Sequence, residues 1–325
     1  MHPGSLGDVL LALPAMRALR AAFSDHALGL LTQQEVGRLL MAAAEVHKIF
    51  TLEGVSLTNI LSGTGLMDEE LRQWLSNCDV AVGWMADPGG RLDSAFHAFG
   101  IPHILVASPH SSGHRLIHQT DRFLDTIASV VSKSPQDHAL RLPLDVTAEA
   151  ASRLRSRGIV PSQPLVIIHP GSGSRHKCAA PGLLANLLKK YERNGIAPLV
   201  IGGPADDDQV ASLQRTYSHP FRILQDLDLL SITGVIAHAN CFIGHDSGLT
   251  HLAASLQVPT VALFGPTAPH RWAPRGSHVT VVTGPSCRCE GEEAVRSCVN
   301  KPCLQIPIER ILSACATMAQ NENNR

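Results

Sequence analysis

Along the chain, short apolar runs rich in β-branched residues alternate with stretches of helical periodicity. In the first half, residues 28–31, 80–82 and 104–107 are compact apolar runs that predict buried strands. Between them, residues 9–22 and 68–76 repeat apolar positions at helical spacing. Residues 114–132 do so most clearly, with Leu116, Ile117, Phe123, Leu124 and Ile127 on one face. The second half is more regular. It predicts strands at 165–169, 198–201, 221–224, 241–244 and 260–264, and helices at 181–193, 227–239 and 250–256. Strand-then-helix alternation is the pattern of parallel α/β sheets. Residues 142–164 interrupt it, with Pro143, Pro161 and Pro164 around a short amphipathic helix. That break predicts two Rossmann-like domains, 1–142 and 143–325, facing each other across a cleft.

One irregularity stands out. A doubly wound domain normally opens with a strand, yet only Met1, His2 and Pro3 precede the turn Gly4-Ser5-Leu6-Gly7-Asp8. The expectation is that the first strand of the N-terminal sheet is missing from the chain.

Length and composition narrow the class. A chain of 325 residues suits two domains, and a hydrophobic share of 44% fills ordinary cores. Lys and Arg total 27 against 28 Asp and Glu, which argues against a nucleic-acid binder. No apolar run approaches the ~20 residues of a membrane span, and the first residues lack the basic leader of a signal peptide. Eight cysteines in a chain of this length point to reduced thiols in a cytoplasm.

Five segments carry candidate chemistry. Gly4, Ser5, Gly7 and Asp8 form a small turn at a helix start, which suits a close-lying sugar or anion; the plainer reading makes Asp8 a helix cap. His169-Pro170-Gly171-Ser172-Gly173-Ser174 follows a strand, with Lys177 beyond it. Backbone donors, serine hydroxyls and one ammonium suit a phosphate group there. A third strand–helix turn, Asp246-Ser247-Gly248, is followed one helical turn later by His251. Trp272, in a proline-rich segment after the 260–264 strand, reads as a cleft lining or as packing. Cys287, Cys289, Cys298 and Cys303 invite a zinc reading, but their spacing lacks paired C-x2–4-C knuckles. The expectation is therefore buried or loosely paired thiols and no metal.

Taken together, GSLGDVLLALPAMRALR, HPGSGSRHK, IGGPADD, GHDSGLTHLAASLQVPTVALFGPT and the Trp272-Ala273-Pro274 that follows resemble the ADP-heptose:lipopolysaccharide heptosyltransferases, glycosyltransferase family 9 of the GT-B fold. The DSGxxHLAA…P…ALFGPT block is the most specific of these. The resemblance implies an inverting transfer of heptose from ADP-L-glycero-D-manno-heptose to a lipid-linked or core oligosaccharide acceptor of lipopolysaccharide. It assigns Asp8 as general base and Gly4, Ser5 and Gly7 to the acceptor side. It assigns Ser172, Gly173, Ser174, Lys177, Asp246, Ser247, Gly248 and His251 to the donor diphosphate and sugar. It implies no cofactor, no required metal and no nucleic acid. A cytoplasmic protein touching the inner face of the membrane fits that acceptor. Where the family often has K-x-W-P, this chain has Lys177-Cys178-Ala179-Ala180-Pro181, which leaves open another nucleotide sugar or a catalytically silent relative. Arg17, Arg20, Arg91 and Arg115 are candidate contacts to an acidic acceptor, each with solvated surface as the simpler reading.

Overall fold

Runs apolar on both faces become central strands, and helices with one apolar stripe cover them. The computed structural model describes residues 1–53, 60, 68–109, 116–132, 139–160, 163–287, 289 and 291–323. The chain divides into two compact units, Met1–Asp137 and His138–Arg325. Both are α/β with parallel strand pairing, as the alternation predicts.

In the N-terminal unit, β1 (Gly29–Thr32) pairs with β2 (Lys48–Thr51), and β3 (Val80–Gly83) pairs with β4 (His103–Val106). The helices are α1 (Leu6–Ala22), α2 (Gln34–Ala42), α3 (Glu69–Ser76), α4 (Arg91–Ala98) and α5 (Gln119–Ile127). Met1 and His2 join the two strand pairs. The Met1 amino group donates to the Val82 carbonyl at 2.5 Å, and the Trp84 N–H donates to the Met1 carbonyl at 3.0 Å. On the other side, the His2 N–H donates to the Leu31 carbonyl at 3.0 Å. The place of the strand expected ahead of the glycine turn is thus held by two residues. Burial lowers the Met1 ammonium to about 5. A cavity of about 520 Å3 starts at Met1 and follows the edges of β1 and β3, lined by Gly29, Leu31, Phe50, Trp74, Val80 and Val82.

The C-terminal unit carries a six-stranded parallel sheet. Its strands are β5 (Val166–His169), β6 (Leu199–Ile201), β7 (Arg222–Leu224), β8 (Cys241–His245), β9 (Thr260–Phe264) and β10 (Val279–Thr283). In space they run β7-β6-β5-β8-β9-β10. The order reverses between β5 and β8, the first and fourth strands of the unit, which creates a switch point at their carboxyl ends. The helices are α6 (Leu144–Ser156), α7 (Pro181–Arg193), α8 (Asp207–Thr216), α9 (Leu229–Ile236), α10 (Gly248–Ser255), α11 (Pro269–Trp272), α12 (Gly291–Ser297) and α13 (Ile308–Asn323). Every residue of β5, β8 and β9 is buried, as expected for strands covered on both faces. Ile168, Leu187, Leu188, Val200, Ile243 and Leu263 form the centre of this core.

α1 begins at Leu6, ahead of the 9–22 pattern, and three further helices begin or end differently from the periodicity. The helix expected over 114–132 is α5, because the His118 ring accepts from the Thr120 N–H at 3.2 Å and starts it there; residues 114 and 115 lie outside the described residues. The helix expected over 227–239 starts after Asp228, whose side chain accepts from the Ser231 N–H at 2.7 Å. The helix expected from 250 starts at Gly248 under a Ser247 cap. Among the described residues, no helix is long and apolar enough to cross a membrane.

Candidate functional site

Two of the glycine–serine loops leave the sheet side by side. β5 and β8 are hydrogen-bonded neighbours, with His169 opposite Gly244. The loop after β5 carries Ser172, Gly173, Ser174 and Lys177, and the turn after β8 carries Asp246, Ser247 and Gly248. Both therefore flank the switch point, where open parallel sheets form their ligand crevice.

Side chains stitch the loops together. Lys177 Nζ lies 2.8 Å from Asp246 Oδ2, and the Ser172 hydroxyl donates to the Asp246 carbonyl at 2.6 Å. Ser174 accepts from the His176 N–H at 3.3 Å, capping the short 3-10 turn Arg175–Lys177 that presents the lysine. Past that turn, the Ala179 N–H donates to His245 Nε2 at 3.0 Å, tying the loop to the end of β8. Burial lowers His245 to about 4, so the ring is neutral and its Nε2 can accept. Gly173 is exposed, and a Cβ there would meet nothing within 4 Å, so the loop's outer edge is open.

The turn after β8 opens α10. Ser247 Oγ caps the helix, accepting from the Thr250 N–H at 3.4 Å, while the Thr250 hydroxyl donates to the His245 carbonyl at 2.5 Å. Gly248 and Leu249 occupy the first helical positions, where backbone N–H groups have no partner within the helix and attract anions. His251 sits buried in the same first turn, its N–H donating to the Ser247 carbonyl at 3.2 Å.

Beneath the loops lies a pair that motif reading overlooked. His169 Nε2 is 3.1 Å from Asp206 Oδ2, and both residues are buried. Asp206 also accepts from the Gly203 N–H at 2.8 Å. Burial pushes the Asp206 carboxyl up, but His169 and the Gly203 N–H outweigh it and hold the group below its ordinary value. A carboxylate only accepts, so Nε2 donates, and His169 Nδ1 is left facing Ser247 Oγ at 3.3 Å. Gly171 is required here: a Cβ would fall 1.6 Å from Asp206 Oδ1. Both residues stand inside quoted motifs, HPGSGSRHK and IGGPADD, and only their pairing across sequence escaped notice.

The predicted acceptor-side residues belong to the N-terminal unit. Asp8 Oδ2 accepts from the Ser5 N–H at 3.1 Å and from the Ser5 hydroxyl at 2.8 Å, so it ties the first turn of α1 to its N-cap, Ser5. Gly4 leaves no room for a side chain, since a Cβ would lie 2.7 Å from the His2 ring. Gly7 is buried in the first turn. The arginines divide. Arg17 holds Glu45 in a two-point ion pair, with 15% and 9% of their side chains exposed, and Arg20 donates to the Ala44 carbonyl at 2.6 Å. Neither is the solvated surface residue expected from sequence, because both fasten α1 to the turn after α2. Arg91 is exposed, and Arg115 lies outside the described residues. Trp272 packs against Ala262, Phe264 and Ala273, with the Arg271 guanidinium 5.0 Å from its ring centre.

The model of the family described as glycosyltransferase family 9 (heptosyltransferase) matches residues 115–303. A lipopolysaccharide heptosyltransferase 1 of Pseudomonas aeruginosa is 49% identical over 47 residues, 14% of this chain and 13% of that protein. The curated relatives are thus matched over 13% to 30% of their length. A glycosyl transferase family 9 structure from Veillonella parvula superposes with a TM-score of 0.83 at 19% identity, covering 98% of this chain and 96% of that one. An E. coli ADP-heptose lps heptosyltransferase II superposes at 0.73 and 18% identity, over 99% and 98% of the two chains. At such identities the structural likeness speaks for the fold.

Proposed function

The chain belongs to glycosyltransferase family 9, the heptosyltransferases, and on that premise we propose that it transfers heptose from ADP-L-glycero-D-manno-heptose to an inner-core acceptor of lipopolysaccharide. The observation that carries this reading is the convergence of Lys177, Ser172, Asp246 and the α10 N-terminus at the β5–β8 switch point. That arrangement offers one ammonium that reaches solvent, fixed hydroxyls and backbone N–H groups without a partner within the helix, which is what a diphosphate needs. ADP-heptose is named as the donor because a structural relative is described as an ADP-heptose lps heptosyltransferase.

In the proposed reaction the acceptor hydroxyl loses its proton to Asp8 and attacks the anomeric carbon of the donor. The bond from that carbon to the β-phosphate oxygen breaks, its electron pair leaves with ADP, and the configuration inverts. Negative charge grows on the diphosphate as the bond breaks. Lys177 and the N–H groups of Gly248 and Leu249 are set to stabilise it, and they need little reorganisation because the lysine is already held by Asp246. Asp246 then has two tasks: aiming Lys177 and accepting from a donor hydroxyl. Ser5 plays the matching part for Asp8, fixing one carboxylate oxygen with two hydrogen bonds. Ser174, Gly173 and His251 complete the donor contacts, and Gly4 and Gly7 keep the acceptor side uncrowded. No metal step enters this scheme. A lipid-bearing acceptor places the enzyme on the cytoplasmic face of the inner membrane by peripheral contact.

The test is a transfer assay with ADP-heptose and heptose-free inner-core acceptor. Product with an inverted linkage supports the reading. Donor binding with no transfer by the wild-type chain to any core acceptor would overturn it in favour of a silent relative.

A further inference from the structure

The segment between β10 and α13 has almost no hydrophobic core of its own. No described residue between 283 and 302 is buried, and Val299 is 90% exposed. Yet the segment is clamped at its two ends: the Gly284 N–H donates to the Cys303 carbonyl at 2.9 Å, and a Cβ on Gly284 would lie 2.4 Å from the Pro302 carbonyl oxygen. Small modules lacking a core are commonly held by a staple, either disulfide or metal. The side chains at the centre of this one are thiols.

Cys287, Cys289 and Cys298 bring their sulfurs within 4.8 Å of one another, with Cys287 and Cys289 at 2.8 Å. Cys303 is buried in one small cluster with Ala179 and Leu304, against which Cys287 packs. All four are free thiols. In a tetrahedral thiolate site with metal–sulfur bonds of about 2.3 Å, neighbouring sulfurs stand about 3.8 Å apart. The separations among these three bracket that value, and Cys303 lies beside Cys287 as the fourth thiol, so rotation of the side chains can bring four sulfurs to one ion.

From this convergence we infer that Cys287, Cys289, Cys298 and Cys303 bind one thiophilic divalent ion, zinc(II) or iron(II), in a closed structural site. The linear spacing argued against it, since only C-x-C and two scattered cysteines are visible. Folding of the segment supplies the convergence that sequence hides. Four thiols releasing four protons to solvent and binding one divalent ion leave a site of charge −2. Arg296 and Lys301 stand in the same segment with the opposite sign.

The site has a consequence for the loop beside it. Lys301 sits between Cys298 and Cys303 in a left-handed backbone conformation, φ 39°. Its ammonium donates to the Arg175 carbonyl at 2.9 Å and the Cys178 carbonyl at 3.4 Å. Those two carbonyls bracket Lys177. An ion that fixes the cysteine segment therefore fixes the turn that presents Lys177, while touching no donor atom. Lys301 is a positioning residue in this scheme.

The test is elemental analysis of the full chain, purified with reductant and without chelator, alongside Cys298→Ser, Cys287→Ser and a Cys78→Ser control. The expected result is roughly one equivalent of zinc or iron in the wild type and the control, and a loss of most of it in the two cluster variants. Which element is present decides between the two ions. Cobalt(II) substitution gives an independent reading, because tetrahedral cobalt–thiolate absorption appears only when the cage is real. Less than a tenth of an equivalent in the wild type without cobalt–thiolate absorption would overturn the inference. Full metal content in the Cys298→Ser and Cys287→Ser variants would overturn it equally, whether or not nucleotide binding is intact.

Discussion

Lys177 Nζ stands 2.8 Å from Asp246 Oδ2, and this ion pair joins two loops that lie 69 residues apart in sequence. Asp246 keeps 9% of its side chain exposed and Lys177 keeps 36%, so the carboxylate is anchored and the ammonium reaches solvent. A pair of that kind adds little to stability, on the order of 0–1 kcal/mol. Its value lies in aiming a cation. Lys177→Ala is expected to leave the melting temperature nearly unchanged and to weaken ADP binding by about 1.5–3 kcal/mol, roughly 10- to 100-fold. Scanning calorimetry and nucleotide titration on the same preparation separate the two effects.

Gly171 and Gly173 make opposite predictions although they stand two residues apart. Gly171→Ala pushes a methyl into Asp206 and breaks the bridge that runs from Gly203 through Asp206 to His169. The expected cost is about 1–3 kcal/mol in denaturant unfolding, with donor affinity falling as Ser247 loses its neighbour. Gly173→Ala meets open space and should stay within about 0.5 kcal/mol of wild type. Equal effects at both positions would contradict the packing described.

Acid should loosen the C-terminal unit in two stages. His245 is held near pKa 4 in the fold against 6.5 in the unfolded chain, so the unfolded state binds more protons in that interval. Its contribution is fully present above pH 6.5 and is lost as the pH falls towards 4, by at most about 1.4 kcal/mol per unit. Asp206, held below 3.8, acts only further down: its contribution is present above pH 3.8 and lost beneath it. Unfolding free energy measured from pH 7 to pH 4 should therefore slope downward. His245→Gln, which keeps an acceptor for the Ala179 N–H without titrating, should flatten that slope.

The structural place of Asp8 and the role proposed for it have different signatures. In the first turn of α1 its carboxylate holds the N-cap residue Ser5, a contribution of about 0.5–1.5 kcal/mol, and Asn retains an oxygen for that purpose. As a general base it has no substitute. Asp8→Asn should lower kcat by about 100- to 10,000-fold while leaving ADP affinity and the unfolding midpoint close to wild type. Normal turnover in this variant would remove Asp8 from the reaction.

How far these features could be read from sequence depended on how local their cause was. β5, β8 and β9 are continuous apolar runs bounded by turns, and α7 begins at Pro181, so each was visible in its own residues. β10 was overlooked because its threonines alternate with valine and it lies at the sheet edge, only partly buried. α2 and α4 were overlooked as well, being only nine and eight residues long. Helix starts were misjudged where a polar cap outside the apolar pattern sets the boundary, as at His118, Asp228 and Ser247. At the site, the two loops that meet at the switch point were visible because each has a local signature of glycine, serine and a helix start. The His169–Asp206 pair and the Arg17–Glu45 pair carry no such signature. They form between residues 37 and 28 positions apart, and only the folded sheet brings them together.

The central claim is that the β5–β8 switch point holds the diphosphate of an ADP-sugar, and calorimetric titration tests it most directly. The wild-type chain would be titrated with ADP, UDP and ADP-heptose, and Lys177→Ala with the same three. The account predicts adenine-selective binding by the wild type that is sharply weakened in the variant. Binding of equal strength to ADP and UDP, or ADP binding unchanged by Lys177→Ala, would contradict it.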